Sequence, residues 1–232
     1  MQKFVDVLAR WWLYHWTIDH TDRIYELAGV DLFILLSYGS KEECLTTASR
    51  EITIRGAGIS NNYFADASLV ITTCAYTYPL WEHAYKLDIL HKYGMPTIDE
   101  QTIWVENIHH TFDEAWKIYQ AVFKRKGDFD GIIVVITGKT HSRTAWLMYR
   151  ALFPRATILI SAIMAESEYQ PDHPMVAQQT RARWFRTALL RHMVARILFM
   201  KLPIIGFPFL RIGLRLLQNV HHKLAQDTTT TT

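Results

Sequence analysis

The chain holds only two cysteines, Cys44 and Cys74, in 232 residues, and they form no Cys-x-x-Cys pair. That excludes a secreted disulfide framework and points to a reducing compartment. A simple spanning helix of about 20 apolar residues is lacking in the most lipophilic C-terminal stretch, His192–Leu217. Arg196, Lys201, Arg211 and Arg215 interrupt it. No signal peptide is expected over residues 1–16, because Asp6 and Arg10 break the apolar run and no small-residue cleavage site follows. No internal repeat is evident. Acids are missing altogether from Arg181 to Lys223, a stretch with nine basic residues. A basic, apolar C-terminal region favours an anionic surface, with membrane lipid preferred over nucleic acid. The expectation is a cytoplasmic protein, with that region packed on the main domain, at a homodimer contact or against membrane.

What is present fits a packed α/β domain. Half of the residues are apolar, and the net charge is only +3. Unbroken apolar strands are predicted at Val30–Leu36, Leu69–Thr73, Ile132–Ile136 and Thr157–Ser161, with a weaker one around Thr102–Val105. Helical spacing intervenes. Phe4, Val7, Leu8 and Trp11 suggest a first amphipathic helix. A short helix over Asp22–Leu27 would end at Gly29, and Arg55–Phe64 would hold another, weakened by Gly56 and Gly58. In Leu80–Tyr93 the residues Trp81, Ala84, Leu87, Leu90 and His91 define one face. Later helices are expected from Thr111 to Gly127, over Ser142–Leu152, over Val176–Leu198 and within Phe209–Leu224. Apolar strands alternating with helices imply a mostly parallel sheet covered on both faces. The domain reading is 1–175 for the α/β unit with its N-terminal helix, 176–226 for the basic helices and 227–232 for a tail.

The richest stretch is Ile132–Arg143, IIVVITGKTHSR, a strand that delivers polar and basic groups to a helix N-terminus. Such junctions bind anions. Its GKT triplet is not a P-loop, because GxxxxGK[ST] requires glycine where Ile133 stands. Thr137, Thr140, His141 and Arg143 remain as donors, Arg143 being suited to phosphate or carboxylate. The loops Ser37-Tyr38-Gly39 and Thr73-Cys74-Ala75 would face the same cleft. Glu82 opens the next helix, as ligand anchor or as partner of the helix dipole. Glu106 and Glu114 are candidate acid–base groups. Thr111-x-x-Glu114 is equally a capping box. Arg55 is a candidate for the cleft or a surface residue. Cys74 as nucleophile is the weaker idea, and His15 with Asp19 reads as a surface pair.

Four blocks resemble the YdcF-like, SanA-like and ElyC-like family, domain of unknown function 218. They are Asp31–Leu36 (DLFILL), residues 69–96 (LVITTCAYTYPLWEHAYKLDILHKYGMP), residues 106–115 (ENIHHTFDEA) and residues 134–145 (VVITGKTHSRTA). The likeness spans roughly residues 30–162. It departs at Thr73-Cys74-Ala75, where the family has a glycine-rich turn, and in the closer spacing of His141 and Arg143. The resemblance implies a Rossmann-like three-layer α/β sandwich with extra N- and C-terminal helices. It implies a polar cleft with Glu82, Glu106, Thr111, Glu114, Thr137, His141 and Arg143 as matching positions, and Arg55 less firmly. It further implies S-adenosylmethionine or another nucleotide as ligand, and a link to the cell envelope. Two functions follow as expectations. One is a cleft that takes an anionic small molecule, with Glu106, His141 and Glu114 in catalytic roles and Ser37, Gly39, Arg55, Thr73, Glu82, Thr111, Thr137 and Arg143 binding. The other is a peripheral membrane protein of structural or regulatory kind.

Overall fold

The computed structural model describes residues 17–41, 43–63, 66–75, 79–95 and 101–168, with positions 4, 7, 11 and 190. The helices expected within 176–226, and the 227–232 tail, lie outside the described residues apart from Leu190, which is helical and exposed. Phe4, Val7 and Trp11 are helical, as their spacing predicts, and exposed.

Eleven elements alternate along the described chain: α1 (Thr21–Tyr25), β1 (Leu32–Leu35), α2 (Thr47–Tyr63), β2 (Ser68–Cys74), α3 (Pro79–Lys92), β3 (Thr102–Ile108), α4 (Thr111–Lys126), β4 (Ile132–Gly138), α5 (Ser142–Leu152), β5 (Thr157–Ile163) and α6 (Ala165–Glu168). The five strands form one parallel sheet in the order β3-β2-β1-β4-β5. Right-handed crossovers put α2 and α3 together on one face, and α4 and α5 on the other. This is a Rossmann-like three-layer α/β fold. All four β1 residues and most of β4 are buried, as expected of strands covered on both sides. Strand order reverses between β1 and β4, so the loops leaving their carboxyl ends diverge. Open α/β sheets place their ligands at such a point.

β5 is an edge strand, and an uncovered edge invites pairing with other chains. Here residues 18–21 lie along it. His20 N–H donates to Ile160 O at 2.7 Å, and Ile160 N–H donates to His20 Nδ1 at 3.0 Å. Burial, and then the neighbouring Arg23, lower the His20 pKa, which keeps Nδ1 available as an acceptor.

Three expectations change. The short helix near the N-terminus ends at Tyr25 with Glu26 as its cap, well before Gly29. The helix expected from Arg55 begins instead at Thr47. Thr46, just before it, accepts Ser49 N–H at 3.2 Å and caps it. Its buried face consists of Ala48, Ser49, Ile52, Thr53, Gly56, Ala57, Ile59 and Ser60, mostly small or polar side chains that hide helical periodicity. The third change is in α3. The fully buried line is Glu82, Lys86 and Leu90, four residues apart, whereas Trp81 is 47% exposed.

Gly56 sits against Leu35 of β1, and a Cβ there would overlap Leu35 Cδ2. Gly56→Ala is therefore expected to destabilise the protein, even though alanine favours a helix by about 1 kcal/mol. Overpacking a tight core costs about 1–3 kcal/mol, so the net loss should be up to about 2 kcal/mol. A urea titration checks this, and a midpoint above wild type would contradict the close approach.

Candidate functional site

Two glutamates meet beneath the loop that leaves β1. Glu82, in the first turn of α3, is completely buried. Its carboxylate accepts Ser37 Oγ–H at 2.8 Å, Ser49 Oγ–H at 3.2 Å and Cys74 N–H at 2.7 Å. Lys86, one turn on and also completely buried, lies 2.9 Å from Glu82 Oε1 and donates to Thr72 O at 2.7 Å. Glu114 approaches from α4 on the other face of the sheet. Its Oε1 accepts Ser37 N–H at 2.8 Å and Thr72 Oγ–H at 2.6 Å. Ser37 is thus gripped by both carboxylates, through its amide and its hydroxyl. The arrangement fixes the switch-point loop from below.

The cluster holds one cation for two carboxylates. Burial pushes the Glu114 carboxyl from its ordinary 4.5 to about 7, and the donors Ser37 and Thr72 with the Lys86 charge offset only part of that. Tyr149 on α5 is buried too, and its phenol is raised well above 10, by burial first and by the Glu114 charge second.

The capping box proposed for Thr111 and Glu114 is shifted by one residue. His110 is the N-cap of α4, and its Nδ1 accepts Asp113 N–H at 3.0 Å. Asp113 in turn accepts His109 N–H at 3.3 Å. Burial alone would push the Asp113 carboxyl up, but the His109 amide and Lys117, 3.2 Å away, hold it below the usual range. Thr111 is the first helical residue and caps nothing, which leaves Glu114 free to turn into the core.

Glu106 does not join Glu82 and Glu114. β2 and β3 slip register between Thr72 and Cys74, so Glu106 and Asn107 oppose the single residue Thr73. Asn107 sits at φ 58°, a left-handed conformation that asparagine tolerates. This bulge turns Glu106 outward, where it lies 3.5 Å from His83 with about half of its side chain exposed. Arg55 is also elsewhere. Its Nη1 donates to Ala162 O at 2.9 Å at the end of β5. It lines a groove of about 420 Å³ with Tyr25, Glu51, Ile59 and Ile163, away from the β1–β4 switch point.

The remaining candidates gather where β4 meets α5. β4 continues to Gly138, so no wide P-loop nest can form. Gly138 N–H donates to the Tyr38 hydroxyl at 3.2 Å, across the switch point. Tyr38 also meets His141, the residue before α5, edge to face at 5.6 Å. Gly39 holds φ 81° in the same loop. Thr140 N–H donates to Glu168 Oε1 at 2.7 Å, Thr140 Oγ–H to Glu168 Oε2, and Tyr38 O–H to Glu168 Oε2 at 3.5 Å. Thr137 and Thr73, next to last in β4 and β2, have buried hydroxyls with no hydrogen-bond partner among the described residues. Arg143 is half-buried in the first turn of α5.

The structure therefore brings Ser37, Glu82 and Glu114 together, and separately Thr137, His141 and Arg143 around the turn. Thr72, Lys86 and Glu168 escape a reading of the sequence. Lys86 had a signal, its four-residue spacing from Glu82 and Leu90. Glu168 had none, since it lies about 30 residues beyond the turn it contacts. Among the described residues, no group of three His, Cys, Asp or Glu is placed to hold a metal, and no helix is long and apolar enough to cross a membrane.

Fold and site together define a Rossmann-like α/β protein with a polar, carboxylate-braced switch point. Comparison with protein-family models, with curated proteins and with solved structures gives no match.

Proposed function

We propose that the chain binds a small molecule through an anionic group, a carboxylate or phosphate, at the turn between β4 and α5. One observation carries this reading: the turn already holds a carboxylate, that of Glu168, by a main-chain N–H and a hydroxyl of Thr140. Helix N-termini favour anions through unpaired N–H groups and the helix dipole. The position is the switch point, where α/β folds place ligands. The buried hydroxyl of Thr137 near the end of β4 adds capacity, because buried polar atoms are seldom left unbonded. Glu82 and Glu114 position the Ser37 loop from beneath. Nucleotides, S-adenosylmethionine among them, are the ligand class that the family resemblance suggests; the polar groups at the turn require only the anion.

Native mass spectrometry of the purified chain is expected to reveal a retained anionic small molecule. Titration with ADP and S-adenosylmethionine should give a Kd that weakens about tenfold in Thr140→Val, the loss of one hydrogen bond to a charged group. Arg143→Ala should weaken it as well. If nothing is retained and neither substitution changes any measured affinity, the reading is wrong.

A further inference from the structure

We propose that Glu168 is a built-in occupant of this anion seat, and that ligand enters by displacing it; the inference rests on the binding reading above. A carboxylate is costly to bury unless donors replace its water. Glu168 is nevertheless completely buried, and Thr140 N–H, Thr140 Oγ–H and Tyr38 O–H converge on it. The seat is shaped around it. A Cβ on Gly138 would overlap the Glu168 carboxyl group, so the residue at that strand end must be glycine for the carboxylate to fit. The donors are those that an incoming carboxylate or phosphate would use.

Glu168 follows the edge strand β5, so the sheet does not depend on its place. Within the described residues α6 spans Ala165–Glu168, outside the hydrogen-bond ladder of the sheet. It rests on α2 and β4, and Ser167 N–H donates to Met164 O at 3.2 Å. Releasing it is a local opening that leaves the sheet intact. The apparent affinity for a ligand is then lowered by the small fraction of molecules in which the seat is vacant. Ligand binding and release of Glu168 become one equilibrium.

The experiment uses the full chain and inorganic phosphate as probe. Calorimetric titrations compare wild type, Glu168→Gln and the double variant Thr140→Val/Glu168→Gln. Hydrogen exchange of wild type is followed over a peptide containing 164–168, with and without phosphate. Glutamine keeps the volume of the side chain but removes the charge. The expected result is phosphate binding at least about tenfold tighter in Glu168→Gln, loss of that gain in the double variant, and faster exchange at 164–168 when wild type is saturated. Equal binding by wild type and Glu168→Gln, with unchanged exchange, would overturn displacement and leave the anion seat standing. A gain that survives in the double variant would also overturn it, as a general effect of charge. No phosphate binding by any form would overturn the seat and its occupant together. Should Glu168→Gln fail to fold, the wild-type exchange measurement decides alone: a phosphate-dependent rise at 164–168 supports displacement, and its absence refutes it.

Discussion

Lys86→Met alone is expected to cost about 3–5 kcal/mol, the penalty for leaving a buried carboxylate without its cation. The whole stability of a domain is about 5–15 kcal/mol, so much of the population would unfold under mild denaturant. Both partners are completely inaccessible and 2.9 Å apart, hence solvent screens the interaction little. Lys86 also supplies the donor for Thr72 O at the end of β2. Adding Glu82→Gln to Lys86→Met should restore at least half of the loss, because the neutral amide no longer needs a cation and still accepts from Cys74 N–H. A double-mutant cycle from urea titrations measures the coupling. Simple additivity of the two single effects would show that the pair is not the energetic unit drawn here.

Glu114→Gln is expected to stabilise the protein at pH 8 and to leave it nearly unchanged at pH 4. The carboxyl is raised from 4.5 to about 7 in the folded state. The folded chain therefore binds more protons than the unfolded chain between those values. Stability from this group is fully present below pH 4.5 and is lost as pH rises through 7. At 1.36 kcal/mol per pKa unit the loss is roughly 3 kcal/mol. Glutamine keeps an oxygen for Ser37 N–H and Thr72 Oγ–H and has no proton to lose. The difference in urea midpoint between variant and wild type should grow from pH 4.5 to about pH 7 and level off by pH 8. Parallel curves over that range would rule out a buried, proton-holding Glu114. Because the Lys86 charge lowers the Glu114 pKa, Lys86→Met should move the same transition to higher pH.

The helices show where sequence reading succeeds and where it stops. Amphipathic patterning marked α4 and α5, whose inner faces beyond the first turn are mostly apolar. It misjudged α3, because two charged residues take core positions there and push Trp81 outward. It shortened α2, because that helix approaches β1 through serine, threonine, glycine and alanine, whose hydropathy does not alternate. The bulge at Glu106 was equally invisible: register is a relation between two strands, and one extra residue there turns a candidate catalytic acid to the surface.

By itself the sequence determined the layered α/β architecture, since buried parallel strands must be continuously apolar and must be joined by helices. It also determined that polar and basic groups collect where β4 runs into α5, and that the GKT triplet there is no P-loop. Tertiary structure alone decided which carboxylates meet. Glu82 and Glu114 lie 32 residues apart on opposite faces of the sheet, and only the crossovers of β1, β2 and β3 bring both to Ser37. It alone brought Glu168 back to Thr140. The physical reason is common to both. Burial sets the cost of a charge, donors and counter-charges offset it, and both depend on neighbours that are distant along the chain.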